Sequence, residues 1–330
     1  MTASAADQGS GSATRHVGLD LGGTNLKWTV VERAGASWSV VARDQVATRR
    51  AATAEMPATV TAQLAEVAVH ARDTAGPIAS VGIGVPGLYD PATGRTRFLV
   101  NVPGPWAGHD VARPVANAAG APTFLVNDAR AFGLAELRLG AGRGARSMVG
   151  LTLGTGVGGV VAIDGRVHQG HDGTAGEIGH QTIDPDGPPC NCGNRGCLEA
   201  FARADRIAAA CGTATAEEAV RAAAAGDARS THGLADVGRY LGIGIANMIT
   251  VLSPDKVVLG GGVAAAGEIL FGPIRAEIAR RVKTTAIDAV EIVPAELGTW
   301  AGAIGAAIHG AERADTPDAI EAAPAAATGS

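Results

Sequence analysis

Cys190, Cys192 and Cys197, three of the chain's four cysteines, stand close together in PDGPPCNCGNRGC, with His180 just upstream. Thiolate sulfur and imidazole nitrogen are the usual zinc ligands, and a structural zinc takes four of them in a tetrahedron. His180, Cys190, Cys192 and Cys197 therefore predict one closed structural Zn²⁺ site. The segment offers almost no apolar surface for thiols to pack against, so a packing role suits only Cys211, in an Ala-rich stretch. A saturated zinc cannot activate water, and its work would be to hold a loop that lacks a core. Glu177 and Glu199 flank the four ligands. A lone glutamate is usually a solvated charge, but two pinned by one metal clip read as acceptors for a polyhydroxylated ligand.

A second chemistry is written in glycine and threonine. HVGLDLGGTNLKWTVVE and MVGLTLGTGVGGVVAIDG share one form, an apolar run, a Gly and Thr turn at Thr24 or Thr155, and a second apolar run. Each turn leads into a strand-like run rather than a helix, so neither matches the dinucleotide fingerprint. Two hairpins of related design fit better, with backbone N–H groups turned into a phosphate-binding concavity. For either hairpin alone, turn chemistry also accounts for the glycines. Asp20, directly before LGGT, adds a constraint. A carboxylate beside phosphate-binding amides is repulsive unless a cation stands between them, and Mg²⁺ held by one carboxylate and substrate phosphates meets that need. A third cluster, VVLGGGVAAAG from Val257 to Gly267, offers backbone that can lie flat against a base or ribose. In PTFLVNDARAFGLAEL, an apolar strand runs to Asn127 and Asp128 before a helix. Strand carboxyl ends are where α/β sheets collect ligands, and Asn or Asp is equally at home capping a helix. Both readings of Asp128 stay open on this segment.

Elements that would position these residues alternate along the chain. Strands are predicted over 16–21, 28–32, 80–85, 123–126, 148–153, 160–163 and 256–259, and helices over 56–74, 129–138, 198–210, 234–252 and 267–282. The alternation predicts an α/β fold, and 330 residues predict two domains. Residues 1–14 and 314–330 are rich in small and polar residues and are read as disordered tails. The net charge of −5 and pI near 5.9 leave no basic surface for nucleic acid or anionic lipid. No apolar run reaches the roughly 20 residues of a membrane span, and the first residues lack a signal peptide's apolar stretch, so a cytoplasmic protein is expected.

At these residues the chain resembles the ROK family of sugar kinases and repressors, within the hexokinase, actin and Hsp70 superfamily. LDLGGTNLK is similar to the family's phosphate-1 loop, LTLGTGVGG to its phosphate-2 loop, VVLGGGV to its adenosine segment, and GEIGH with CNCGNRGCLE to its zinc signature. The resemblance covers about residues 16–313 and implies two ribonuclease-H-like (actin-like ATPase) domains around a central cleft, with a zinc-pinned loop. It implies an N-terminal domain over 15–129, onto which a helix over 300–313 packs back, and a C-terminal domain over 130–299. It implies ATP with Mg²⁺ as donor, held by Asp20, Gly22, Gly23, Thr24, Lys27, Gly154, Thr155, Gly156, Gly260, Gly261 and Gly262. The implied catalytic base is Asp128, with Asn101, Asn127, Asp128, Glu177, His180 and Glu199 on the sugar, His180 sharing its ring between zinc and sugar. Only 19 residues precede Asp20, too few for the helix-turn-helix of the family's repressors.

The chain departs from the family pattern with VNDAR in place of END-A-N, with an added residue in NVPGPW, and with Val160 where a third glycine is common. The activity implied is phosphorylation of the 6-hydroxyl of glucose in a homodimer. Other hexoses (mannose, N-acetylglucosamine, N-acetylmannosamine, glucosamine, fructose), polyphosphate as donor, or a sugar-sensing protein without turnover are the alternatives.

Overall fold

Two hairpins begin the two halves of the chain, and each seeds a sheet of the same plan. The computed structural model describes residues 12–91 and 93–316. The expected tails therefore lie mostly outside the described residues. At the edges of those calls, Thr14 already pairs with Arg33 in the first hairpin, and the last helix runs to Ala314.

The chain divides into two units, residues 1–128 with 306–330, and residues 129–305. In the first unit, β1 (Thr14–Leu21), β2 (Asn25–Ala34) and β3 (Ser37–Ala47) form an antiparallel meander. Helix α1 (Met56–Ala75) leads to β4 (Ser80–Val85), followed by the small hairpin β5 (Gly87–Asp90) and β6 (Arg95–Leu99). Helix α2 (Ala112–Ala119), β7 (Thr123–Asn127) and the start of α3 (Asp128–Leu139) complete it. The sheet order is β3-β2-β1-β4-β7, with β1, β4 and β7 parallel. Val17, Leu19, Val81, Ile83 and Leu125 pack against Val60 and Leu64 of α1 and Val115 of α2, all fully buried. At about 25 cal/mol per Å² of apolar surface, burial of this kind is the main force holding the layers together.

The second unit repeats the order. Strands β8 (Met148–Leu153), β9 (Val157–Ile163) and β10 (Arg166–Val167) form its meander. The short α4 (Glu199–Ala202) follows, then α5 (Ala204–Cys211), α6 (Ala216–Ala224) and α7 (Ala228–Leu252). Strand β11 (Lys256–Gly260), α8 (Glu268–Arg281) and β12 (Glu291–Pro294) come next, and α9 (Ala301–Ala314), which from Ala306 on belongs to the first unit, is the last described helix. The sheet order is β10-β9-β8-β11-β12, with β8, β11 and β12 parallel, the plan of the first sheet.

Backbone-to-backbone packing explains several glycines. Gly82 of β4 lies against the carbonyl of Ala306 in α9, where a Cβ would collide. Gly238 and Gly242 of α7 sit over the Leu270 and Ile274 carbonyls of α8, so these helices meet at close range. Val160, unexplained by the family pattern, is fully buried and fills the space over Gly133 of α3 and Gly150 of β8. Glu136 is fully buried as well, and its carboxyl accepts from the backbone N–H groups of Ala141, Glu296 and Leu297. Buried polar groups need such partners, and this one ties α3 to the segment after β12.

One predicted helix is corrected. Residues 198–210 are not continuous: Arg203 is extended, with φ −74° and ψ 156°, and separates α4 from α5. The Ala204 N–H is drawn to the Gly154 carbonyl at 2.9 Å, which helical geometry at Arg203 would forbid. No described helix is long and apolar enough to cross a membrane.

Candidate active site

In the first unit, the parallel strands bring their carboxyl ends to one edge. Asp20 of β1 is in register with Gly84 of β4, and Val85 of β4 with Asn127 of β7. Asp20, Asn127 and Asp128 thus share the edge where α/β sheets bind ligands. The β1–β2 turn is fixed from one side: Thr48 Oγ1 donates to the Gly22 carbonyl at 2.7 Å, Arg50 Nη2 to that of Gly23 at 2.6 Å, and the Thr48 N–H to that of Thr24 at 2.9 Å. In a trans peptide the carbonyl and the following N–H point opposite ways, and the described peptides are all trans. The N–H groups of Gly23, Thr24 and Asn25 therefore point away from residues 48–50, the geometry of an anion-binding nest. Asn101, in the left-handed region at φ 64°, places its carbonyl 2.7 Å from where a Cβ on Gly23 would stand. This brings Asn101 to the same turn.

Asp20 keeps some open surface, yet desolvation raises its carboxyl from 3.8 to about 6, with Lys27, opposite it in the hairpin, pulling the other way. Between pH ~4 and ~6 the folded protein holds a proton that the unfolded chain has released, so Asp20 erodes stability as pH rises through that window. A shift of about two units corresponds to roughly 3 kcal/mol. Asp20→Asn is accordingly expected to melt higher than the parent at pH 7 without divalent metal, and the gap should close near pH 4. Thermal melts at the two pH values check this, and a pH-independent difference would contradict it.

Asn127 Nδ2 donates to the Gly87 carbonyl at 3.2 Å and to Asp128 Oδ1 at 3.1 Å. Asp128 itself is the first residue of α3, one position earlier than the predicted start. Its carboxyl is partly exposed and held by a neighbouring amide, an arrangement that can accept a proton from a bound hydroxyl.

In the second unit, the β8–β9 turn closes by a Gly154 N–H to Gly156 carbonyl bond of 3.0 Å. Thr155 at its tip is exposed. Glu199 Oε2 accepts from the Val157 N–H at 2.9 Å and lies so near Gly156 that a Cβ there would collide with it. Gly260 is in register with Thr152, at the same strand edge as this turn. Gly260 lies against the Phe132 ring, and Gly261, at φ +86°, against the Leu153 backbone, where only glycine fits. Gly262 follows at the surface, so the β8–β9 turn and the GGG loop are neighbours.

The cysteine cluster assembles in the same unit. The ligand atoms of His180, Cys190, Cys192 and Cys197 all lie within 4.8 Å of one another. His180 Nδ1 is 3.7 Å from Cys190 Sγ, and Cys192 Sγ is 3.7 Å from Cys197 Sγ. A tetrahedral zinc with Zn–S near 2.3 Å needs sulfurs about 3.8 Å apart, so the donor set fits the ion. Burial pushes the Cys197 thiol up to about 12, while the Asn194 N–H draws that of Cys192 down. A bound dication would hold both as thiolates. His180 meets the cysteines through Nδ1, which leaves Nε2 for a second partner. Glu199 Oε1 is 4.0 Å from Cys190 Sγ, and Gly179 packs on the carbonyl of Val157, the residue whose N–H holds Glu199. Glu177, His180 and Glu199 thus converge on the start of β9.

Of the predicted site residues, Asp20, Gly22, Gly23, Thr24, Lys27, Asn101, Asn127 and Asp128 belong to the first unit. Gly154, Thr155, Gly156, Glu177, His180, Glu199, Gly260, Gly261 and Gly262 belong to the second, with Cys190, Cys192 and Cys197. Sequence reasoning missed Thr48 and Arg50, which shape the first nest. They follow a strand that has no apolar alternation to announce it.

The ROK family matches residues 16–312. A glucokinase of Thermotoga maritima is 36% identical over 311 residues, covering 88% of this chain and 95% of that protein. A ROK hexokinase from Thermus thermophilus shares the fold with a TM-score of 0.77 at 35% identity, covering 91% of this chain and 98% of that one. A ROK family glucokinase from Streptomyces griseus, solved in complex with glucose and AMPPNP, reaches a TM-score of 0.76 at 27% identity, covering 91% and 100%.

Proposed function

The chain belongs to the ROK family, and we propose from that premise that it is an ATP-dependent glucokinase that phosphorylates the 6-hydroxyl of glucose. The observation that carries this reading is the likeness to an enzyme solved with glucose and AMPPNP, in a chain that has both Gly and Thr turns between paired strands and an aspartate at the strand edge. Phosphoryl transfer relies on positioning and charge neutralisation more than on covalent help from the protein.

The proposed roles follow from the chemistry of each group. The Gly22–Thr24 and Gly154–Gly156 turns and Lys27 take the phosphates, and Gly260–Gly262 the adenosine. Asp20 holds Mg²⁺, which neutralises phosphate charge. Asp128 accepts the proton as the sugar oxygen bonds to phosphorus and the bond from the γ-phosphorus to ADP breaks. Asn101, Asn127, Asp128, Glu177, His180 and Glu199 bind the hydroxyls, with one structural Zn²⁺ fixing the last two. A homodimer working in the cytoplasm completes the proposal.

The test is sugar-dependent ADP formation across glucose, mannose, glucosamine, N-acetylglucosamine, N-acetylmannosamine and fructose, with polyphosphate as a second donor. Glucose with ATP is expected to give the highest kcat/KM. A tenfold advantage for an amino or N-acetyl sugar would overturn the choice of hexose, and a preference for polyphosphate that of donor.

A further inference from the structure

Arg130 is a cation where the fold has little room for one. It lies in the first turn of α3 with only 3% of its side chain exposed. A buried guanidinium must be matched by acceptors, and its neighbours here are specific. Nε and Nη2 donate to the Ala175 carbonyl at 3.1 and 3.0 Å, and Nη2 also reaches Glu177 Oε1 at 3.3 Å. The Glu177 side chain is 43% exposed. One end of this pair is therefore sealed in the protein and the other faces outward.

The backbone on either side of Glu177 is fixed by separate means. Gly176, at φ +96°, lies against Gly159 and Val160 of β9, with 3.2 Å from a Cβ position to the Gly159 carbonyl. Gly179 packs directly on the Val157 carbonyl. These contacts locate the Glu177 Cα but leave the torsions of a long side chain free. The guanidinium is the group that orients the carboxylate and at the same time closes the loop through Ala175.

We infer that Arg130 is a positioning residue that holds the Glu177 carboxylate in place for the sugar, an inference that rests on the assignment of Glu177 to the sugar proposed above. An acceptor oriented before binding spares the sugar the entropy of ordering it, so the effect belongs in sugar affinity and not in the chemical step. Arginine suits the task because its planar fork serves a carbonyl and a carboxylate together, whereas lysine offers only a point charge.

The experiment is a mutant cycle on the full-length enzyme, with KM for glucose, KM for ATP and kcat measured for Glu177→Gln, Arg130→Met, the double variant and Arg130→Lys. Glu177→Gln and Arg130→Met are each expected to raise the glucose KM by about tenfold, the scale on which supporting residues act. The double variant should be no worse than Glu177→Gln, the ATP KM should stay unchanged, and kcat should fall less than about threefold. Arg130→Lys should recover part of the affinity. It also serves as the second probe if the methionine variant does not fold. If Glu177→Gln raises the glucose KM but the Arg130 variants do not, or the two effects multiply in the double variant, the positioning role is wrong while Glu177 keeps its assignment. An unchanged glucose KM in Glu177→Gln would overturn the assignment of Glu177, and the inference with it.

Discussion

Asp128→Asn is expected to lower kcat by about 10²-fold or more, the scale of a lost general base, while glucose affinity stays nearly unchanged. Asparagine keeps the size of the side chain and can turn its carbonyl oxygen to the Asn127 amide that now donates to Asp128 Oδ1 at 3.1 Å. It serves the first turn of a helix nearly as well as aspartate does. What it lacks is the basic oxygen that takes the proton of the attacking hydroxyl. Binding and chemistry should therefore separate: calorimetry reads the sugar affinity, and steady-state kinetics the loss of turnover. A variant with parental kcat would make Asp128 a helix-terminal residue and nothing more.

Loss of the proposed zinc has the next largest expected effect. Protein purified without added metal should carry one zinc per chain by elemental analysis. Cys192→Ser should lose that zinc and raise the glucose KM by about tenfold or more. Cys192 is the exposed thiol of the cluster, whereas Cys190 and Cys197 are buried. Its replacement by serine therefore opens no cavity, and the consequence passes through the metal. Without the ion the His180 ring loses its partner opposite Cys190. Glu199, 4.0 Å from the Cys190 sulfur and bonded to the Val157 N–H at 2.9 Å, loses one wall of its setting. Folding of the loop should weaken too, because the binding energy of a structural zinc is also folding energy. A metal-free parent, or a Cys192→Ser variant with parental affinity, would contradict the assignment.

The strands legible in the sequence were those buried on both faces. Ser80–Val85 and Met148–Leu153 carry no charge and only one polar side chain each, Ser80 and Thr152, and fold at those bounds. The hairpins were legible because Gly and Thr at a turn admit few alternatives, and the Cys/His cluster because thiols in a polar loop have no apolar surface to pack against. Strand β3 escaped notice because it is an edge strand exposed along most of its length, with no alternation for burial to impose. The break at Arg203 was not legible in an Ala-rich stretch, since it is set by the Gly154 carbonyl, which lies far away in sequence. Arg130 shows the same limit from the other side. In the sequence Arg130 shows only as a departure from the family pattern, in VNDAR, and it takes the approach of Ala175 and Glu177 to give it a buried partner set.

The identity of the product tests the glucokinase reading most directly. Incubated with glucose and Mg-ATP, the protein should form one glucose 6-phosphate for each ADP, with ³¹P NMR placing the phosphate on the 6-oxygen. Glucose binding with no sugar phosphate formed, from ATP or from polyphosphate, would contradict it and leave a sugar-binding protein in place of a kinase.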